Sequence, residues 1–456
     1  MSLGGLLLAV ALAGGESAEL AVHETLDDFH RAAAAADAER YFGHFAPGAV
    51  FLGTDAGERW TVEDLRAYAE PYFSQGRGWT YVASAREVTL ARGGGVAWFD
   101  ERLQNEKYGE ARGSGVLESI DGRWRITSYV LSFPVPNDLA GDLTAEVVAA
   151  EAVGEPVSSR LIAHDGEREL VLWNEVTPEA LEAGDAPIVV LLPSATFSAH
   201  ASWGLPLRGY SVLRGLARRG FDAFAVELGG YGGSSPPTGD PRGGCASAQH
   251  DLGVALDHIA GLRGERPVFL VGPSWGSQVA GAFAAEHPGR VRGLVLYGFR
   301  WRTRVPREAI EQVFGAGALE GATRPVTSES ARGDFIEGHH EEDVPAAFER
   351  HLLSKGSRVP TGALVDYCER LPLVDPARLR VPTLMLYGRF EFEAPGVGEE
   401  DRQRLEAHRA EQREFFEALE GPRHWIEVPG GGHSAHLDAP HALLQRCLAG
   451  WLERAP

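Results

Sequence analysis

Lysine is almost absent from this chain: only Lys107 and Lys355 occur among 456 residues. Arginine carries the rest of the positive charge, a mark of genome composition rather than of chemistry. Positive charge is scarce altogether. Against 64 Asp and Glu stand 43 Lys and Arg, which leaves a formal charge of -21. A field of that sign repels phosphate, so nucleic acid and anionic membrane are not expected partners. Cysteine is as sparse. Cys245, Cys368 and Cys447 are odd in number and far apart, so no disulfide framework or metal spacing follows. Free thiols, buried or half-buried, are expected. His339-His340-Glu341-Glu342 is not read as a metal site, because adjacent residues on one element do not converge on an ion. Long apolar runs are missing too. Leu6 to Ala13 is too short to span a bilayer and has no Lys or Arg before it. Residues 1–19 are expected to be a disordered or loosely packed leader, with a signal peptide ending near Ala11-Leu12-Ala13 as the alternative. The expected location is accordingly cytoplasmic, or secreted or periplasmic if that segment is a signal.

What is present is enough for two domains, since 456 residues exceed one ordinary core. Val22, Leu26, Phe29 and Ala33 recur at helical spacing. Thr61 with Asp64 three positions on is a helix start, expected to run through Tyr72. Strand-like runs follow at 79–90, 95–104, 112–120 and 123–133, separated by Gly93-Gly94-Gly95 and by Asp121-Gly122. Helices followed by a meander of strands predict an α+β domain.

The phrases F-x-x-x-A-V-F-L-G-T-D at 45–55, E-R-W-T at 58–61, G-W-T-Y at 78–81, V-A-W-F-D-E at 96–101 and W-R-I-T-S-Y at 124–129 resemble the SnoaL-like branch of the nuclear transport factor 2-like superfamily over residues 20–140. That resemblance implies a cone-shaped fold in which a curved sheet wraps helices, able to hold a small ligand, and a homodimer formed through this domain. Trp60, Trp98, Asp100 and Tyr129, with Trp79 and Asp55, are candidates to line such a pocket. The competing reading makes the tryptophans core and the acids solvated. Pro134 to Asp138 then stops the last strand, and residues 141–158, small and acidic, are expected to be a linker with at most a short helix.

From 159 onward the pattern changes. His164-Asp165-Gly166-Glu167 signals a hairpin. Apolar runs at Ile188–Leu192, Ala223–Val226, Val268–Val271, Gly293–Tyr297, Thr383–Tyr387 and Trp425–Val428 alternate with helical segments, which predicts a mainly parallel sheet with helices on both faces. Val268–Val271 runs directly into Gly272-Pro273-Ser274-Trp275-Gly276 and then a helix. A sharp strand-to-helix turn of that kind exposes the serine hydroxyl near the positive end of a helix dipole.

Strand alternation and the G-x-S-x-G turn together resemble the α/β-hydrolase fold over 159–456, with a helical lid at about 299–380. Glu227 to Ser235 resembles that fold's D-x-x-G-x-G-x-S segment, with Glu for Asp. The resemblance implies a Ser-His-acid triad in chain order: Ser274 as nucleophile and His433, after the last strand and Gly430-Gly431-Gly432, as base. The spacing from His433 to Asp438 and Pro440 matches the family and favours His433 over His436. The acid slot in G-x-x-D is filled by Glu391, with Glu393 as the alternate. The oxyanion hole would use backbone N–H groups of Trp275 and of Ala195 or Thr196. Relatives commonly carry His-Gly where this chain has Pro193-Ser194.

The expected activity is a serine hydrolase of a carboxylic ester, thioester or lactone of a small to medium apolar molecule, needing no cofactor and no metal. Acyl transfer or C–C bond hydrolysis by the same triad, and a catalytically idle hydrolase fold beside a ligand-binding or dimerising SnoaL-like domain, remain open at this stage.

Overall fold

The computed structural model describes residues 3–137, Ala140 and 155–455, apart from Ala56, Lys107 and Ser357, with side chains from Ser17 onward. Most of the predicted linker therefore lies outside the described residues. The chain divides into two compact units, Met1–Thr144 and Ala145–Pro456. No helix among the described residues is long and apolar enough to cross a membrane.

In the first unit a helix over Leu3–Ala34 runs through the stretch read as a leader and buries Val22, Leu26, Phe29 and Ala33. After a short helix at Ala38–Gly43, a capping box between Thr61 and Asp64 starts the helix Val62–Phe73, as the sequence predicts. Six strands follow the chain as β1 (Phe45–Leu52), β2 (Arg59–Thr61), β3 (Val82–Leu90), β4 (Val96–Asn105), β5 (Gly109–Ile120) and β6 (Arg123–Ser132), in the order β2-β1-β6-β5-β4-β3. Only β1 and β6 pair in parallel. The interior is closed by rings. Phe29, Phe51 and Phe99 lie with centroids 5.1, 5.5 and 5.7 Å from Tyr129.

The second unit is built on an eight-stranded sheet. Its strands are β7 (Val157–Asp165), β8 (Arg168–Val176), β9 (Ile188–Leu191), β10 (Asp222–Val226), β11 (Val268–Pro273), β12 (Val291–Tyr297), β15 (Thr383–Gly388) and β16 (Arg423–Val428). Their order is β16-β15-β12-β11-β9-β10-β8-β7. The hairpin β7–β8 and the pair β8–β10 are antiparallel, and every other pair is parallel. The inner parallel strands, β9 to β12 and β15, are apolar at nearly every position because both faces are covered. Alternate residues feed two cores: Val190, Phe224 and Leu270 enter one, and Val189, Ala223 and Phe269 the other. Between β12 and β15 lies the insert, with helices Arg307–Phe314, Ser328–Arg332 and Val344–Ser354 and a two-stranded ribbon of β13 (Thr323–Pro325) and β14 (Arg358–Pro360).

Candidate active site

Parallel strands place their carboxyl ends on one edge of the sheet, and four of the predicted segments leave from that edge. At the end of β11, Ser274 has φ 52° and ψ -118°, a conformation that costs a non-glycine residue on the order of 1–3 kcal/mol. The turn holds because nothing larger than hydrogen fits beside it. A Cβ on Gly272 would collide with the Gly276 carbonyl, and one on Gly276 with the Pro193 carbonyl. The Ser274 N–H donates to the Tyr297 carbonyl at 2.7 Å, and the helix Trp275–Glu286 begins at the next residue.

After β15, Glu391 sits in a single turn of 3₁₀ helix and reaches His433, which follows β16. The distance between His433 Nδ1 and Glu391 Oε2 is 2.8 Å. The other predicted acid, Glu393, instead pairs with Arg409 at 2.6 Å. Gly298, at the end of β12, makes room for the pair: with φ +60° its Cβ position lies 2.9 Å from His433 Cε1 and 3.5 Å from Glu391 Oε1. The imidazole is 42% exposed on the side-chain scale. Desolvation works against its charged form, and the charge and hydrogen bond of Glu391 outweigh it, so the pKa of His433 is raised. His436 is held differently. It is buried between Ser202 Oγ at 2.8 Å and Tyr297 OH at 3.2 Å, and burial pushes its pKa down to about 3. It is a neutral packing histidine.

Ser274 and His433 line one cavity of about 150 Å³ together with Ala195, Thr196, Phe197 and Phe314. The loop after β9 brings Ala195 and Thr196 to it. The Thr196 N–H donates to Ser194 Oγ at 3.3 Å, which favours Ala195 as the free donor of that loop. Trp275 is the first residue of its helix, so its backbone N–H has no acceptor within the helix.

Two lid residues complete the surroundings, and neither has a sequence signature. Tyr367 OH lies 3.2 Å from Ser274 Oγ and is, among the described residues, the side-chain partner of that hydroxyl. Burial pushes the phenol up to about 12, so it stays protonated. Beside it, the fully buried Asp366 accepts from the Trp275 indole and from the Cys245 N–H, each at 2.8 Å, and from Arg370 at 2.9 Å. Both lie in a π-helical turn, Asp366–Arg370, which rotates successive side chains onto the elbow. The three thiols are free, with Cys245 buried and Cys368 and Cys447 half-buried.

Residues 189–446 match a family model described as the alpha/beta hydrolase family. The chain belongs to that family. Residues 22–136 match the model of a SnoaL-like domain. The chain is 28% identical over 190 residues to "Epoxide hydrolase 3" of Siraitia grosvenorii, covering 41% of this chain and 55% of the relative. It is 30% identical over 158 residues to "Epoxide hydrolase 2" of the same plant, covering 34% and 45%. The chain thus spans about half the length of the curated relatives it matches. A solved esterase from Thermogutta terrifontis is similar at 20% identity and TM-score 0.46, covering 66% of this chain and 99% of that one.

In the SnoaL-like domain the four residues expected to share a pocket are split: Trp60 and Tyr129 both stack on Phe51, while Trp98 and Asp100 lie on the other face. Trp98, 49% exposed, and Asp100 are on the outward face of β4, whose inward residues are Ala97, Phe99 and Glu101. Tyr129 is inward and donates to Glu101 at 2.9 Å. Trp60 stacks on Phe51 at 6.1 Å, at the edge of the sheet. The period of two in a strand splits the group. The buried polar centre is instead Glu101, which also meets His30 at 2.8 Å and Arg86 at 2.7 Å.

Proposed function

We propose that the chain is a serine hydrolase that cleaves a carboxylic ester or thioester through an acyl-enzyme. Ser274 attacks the carbonyl carbon, His433 takes its proton and delivers it to the leaving group, and Glu391 orients and stabilises the imidazolium. The N–H groups of Ala195 and Trp275 hold the oxyanion. For attack, Ser274 Oγ exchanges its hydrogen bond to Tyr367 for one to His433, the kind of contact that tightens only when substrate is bound. The observation that carries this reading is the strained Ser274 in one cavity with a histidine that a carboxylate holds at 2.8 Å.

The similarity to epoxide hydrolases raises a second substrate, and the chemistry of serine argues against it. An alkoxide that opens an epoxide is left as an ether, which water does not cleave; turnover through a covalent adduct needs a carbonyl in that adduct. The cavity limits the acyl part. Its volume of about 150 Å³ accommodates a group of roughly benzene size, and Ala195, Phe197, Ile310, Phe314 and Leu364 supply an apolar part of its wall. Short aliphatic and benzoyl esters are therefore the expected substrates. The test compares hydrolysis of p-nitrophenyl acetate, butyrate and palmitate by wild type and Ser274→Ala, alongside labelling with a fluorophosphonate. The substitution is expected to lower kcat on the order of 10⁴-fold or more and to abolish labelling. Equal rates in the two proteins would remove the proposal.

A further inference from the structure

Arg324 is the least expected charge in the hydrolase unit. It lies in the lid strand β13, is 3% exposed, and among the described residues forms an ion pair with no carboxylate. Its Nη2 donates to the Ala195 carbonyl at 3.1 Å and to Thr196 Oγ1 at 2.7 Å. Its guanidinium carbon stands 4.3 Å from the centre of the Phe314 ring. Its Nε is buried and has no acceptor among the described residues. Ala195, Thr196 and Phe314 all line the cavity of Ser274. A buried cation without a counter-charge is costly, and such a group persists where function uses it.

We propose that Arg324 is a positioning residue for the oxyanion loop, brought by the lid, whose unmatched charge is neutralised when the tetrahedral oxyanion forms. The inference rests on the serine-hydrolase reading. Two donors hold the Ala195 carbonyl, Arg324 from the lid and Tyr231 OH at 3.2 Å from the loop after β10. A peptide is planar, so fixing that carbonyl fixes the plane of the Ala195–Thr196 link and limits the swing of the loop that carries the Ala195 N–H. The lid is anchored to the segment after β10, where the Gly362 N–H donates to the Arg242 carbonyl at 2.7 Å. Seating the lid and aligning the loop are thus one event. In the acylation step Ser274 Oγ bonds to the acyl carbon, the carbonyl π pair moves onto its oxygen, and the serine proton passes to His433. Arg324 transfers no proton and breaks no bond; it lowers the energy of the charge on that oxygen.

The test uses full-length wild type, Arg324→Met, Arg324→Lys and Thr196→Val with p-nitrophenyl butyrate, together with rates of fluorophosphonate labelling. Arg324→Met is expected to lower kcat by about 10²-fold with KM within about twofold, because the interaction belongs to the transition state. Labelling should slow in parallel, since the phosphonyl oxygen occupies the same place. Arg324→Lys restores part of the loss, as an ammonium returns the charge without the planar fork. Thr196→Val keeps the charge, removes one acceptor and is expected to cost about tenfold or less in kcat. Unchanged kcat in Arg324→Met, or a loss that appears in KM or in thermal stability alone, overturns the proposal. Should Arg324→Met fail to fold, wild-type kcat in both Arg324→Lys and Thr196→Val overturns it equally. A wild type that is not labelled at Ser274 is a different result: it removes the serine reading underneath.

Discussion

His433 and Glu391 make a prediction that needs no knowledge of the substrate. In the proposed mechanism the imidazole must be neutral to accept the Ser274 proton, and the neighbouring carboxylate raises its pKa above the ordinary value of 6.5. The acid limb of kcat/KM should then fall above that value. Glu391→Gln keeps the shape, removes the charge, and should move the limb to lower pH while lowering kcat on the order of 10³-fold. A limb that stays in place in the variant would mean that another group titrates there. The two residues were legible because each follows a buried strand at a fixed offset, and parallel strands deliver such offsets to one edge. Tyr367, Asp366 and Arg324 were not. They sit on short irregular lid segments, where no periodicity marks which side chain turns to the site. Trp98 and Asp100 show the opposite failure. Their types suggested a pocket, but alternation along β4 sends Trp98 and Asp100 outward, and the register that puts Tyr129 inside depends on strand pairing absent from any local pattern.

At the scale of elements, the segment after β10 shows why Glu can stand where relatives have Asp. Glu227 is fully buried and accepts from the N–H groups of Ala199 at 2.9 Å and His200 at 3.0 Å, capping the short helix Ala199–Trp203. Gly232, at φ +52°, leaves the space into which the longer side chain folds. Burial raises the Glu227 pKa to about 7, with the two backbone donors opposing it. The folded state therefore holds a proton between the ordinary pKa of 4.5 and about 7 that the unfolded chain has released. Stability from this group is complete below 4.5 and is lost as pH rises through about 7, a change on the order of 3 kcal/mol. Glu227→Gln should cost about 1 kcal/mol at low pH, since the amide can accept only one of the two N–H groups, and should flatten the pH dependence of Tm between pH 5 and 7. Parallel Tm profiles for the two proteins would show that Glu227 is ionised throughout that range.

For the whole molecule, every residue assigned a chemical role here, from Ala195 to His433, lies in the second unit, Ala145–Pro456. That unit has its own two cores, one on each face of the eight-stranded sheet. The first unit has a separate core, closed by Phe29, Tyr41, Phe51 and Tyr129. Each core satisfies its own elements, so loss of one need not expose the other's buried strands. The hydrolase unit expressed alone, as residues 145–456, is expected to fold and to cleave p-nitrophenyl butyrate with kcat within about twofold of the full chain, because the loop, elbow and lid that set the transition state are all retained. If the SnoaL-like domain instead governs access or substrate capture, the truncated chain will keep its Tm and its fluorophosphonate labelling but show a raised KM with kcat unchanged. A truncated chain that folds but is not labelled would require the front domain to shape the site itself. Steady-state kinetics, labelling and thermal unfolding on the two chains separate these outcomes, and the first is the one that the confinement of the site to a single core predicts.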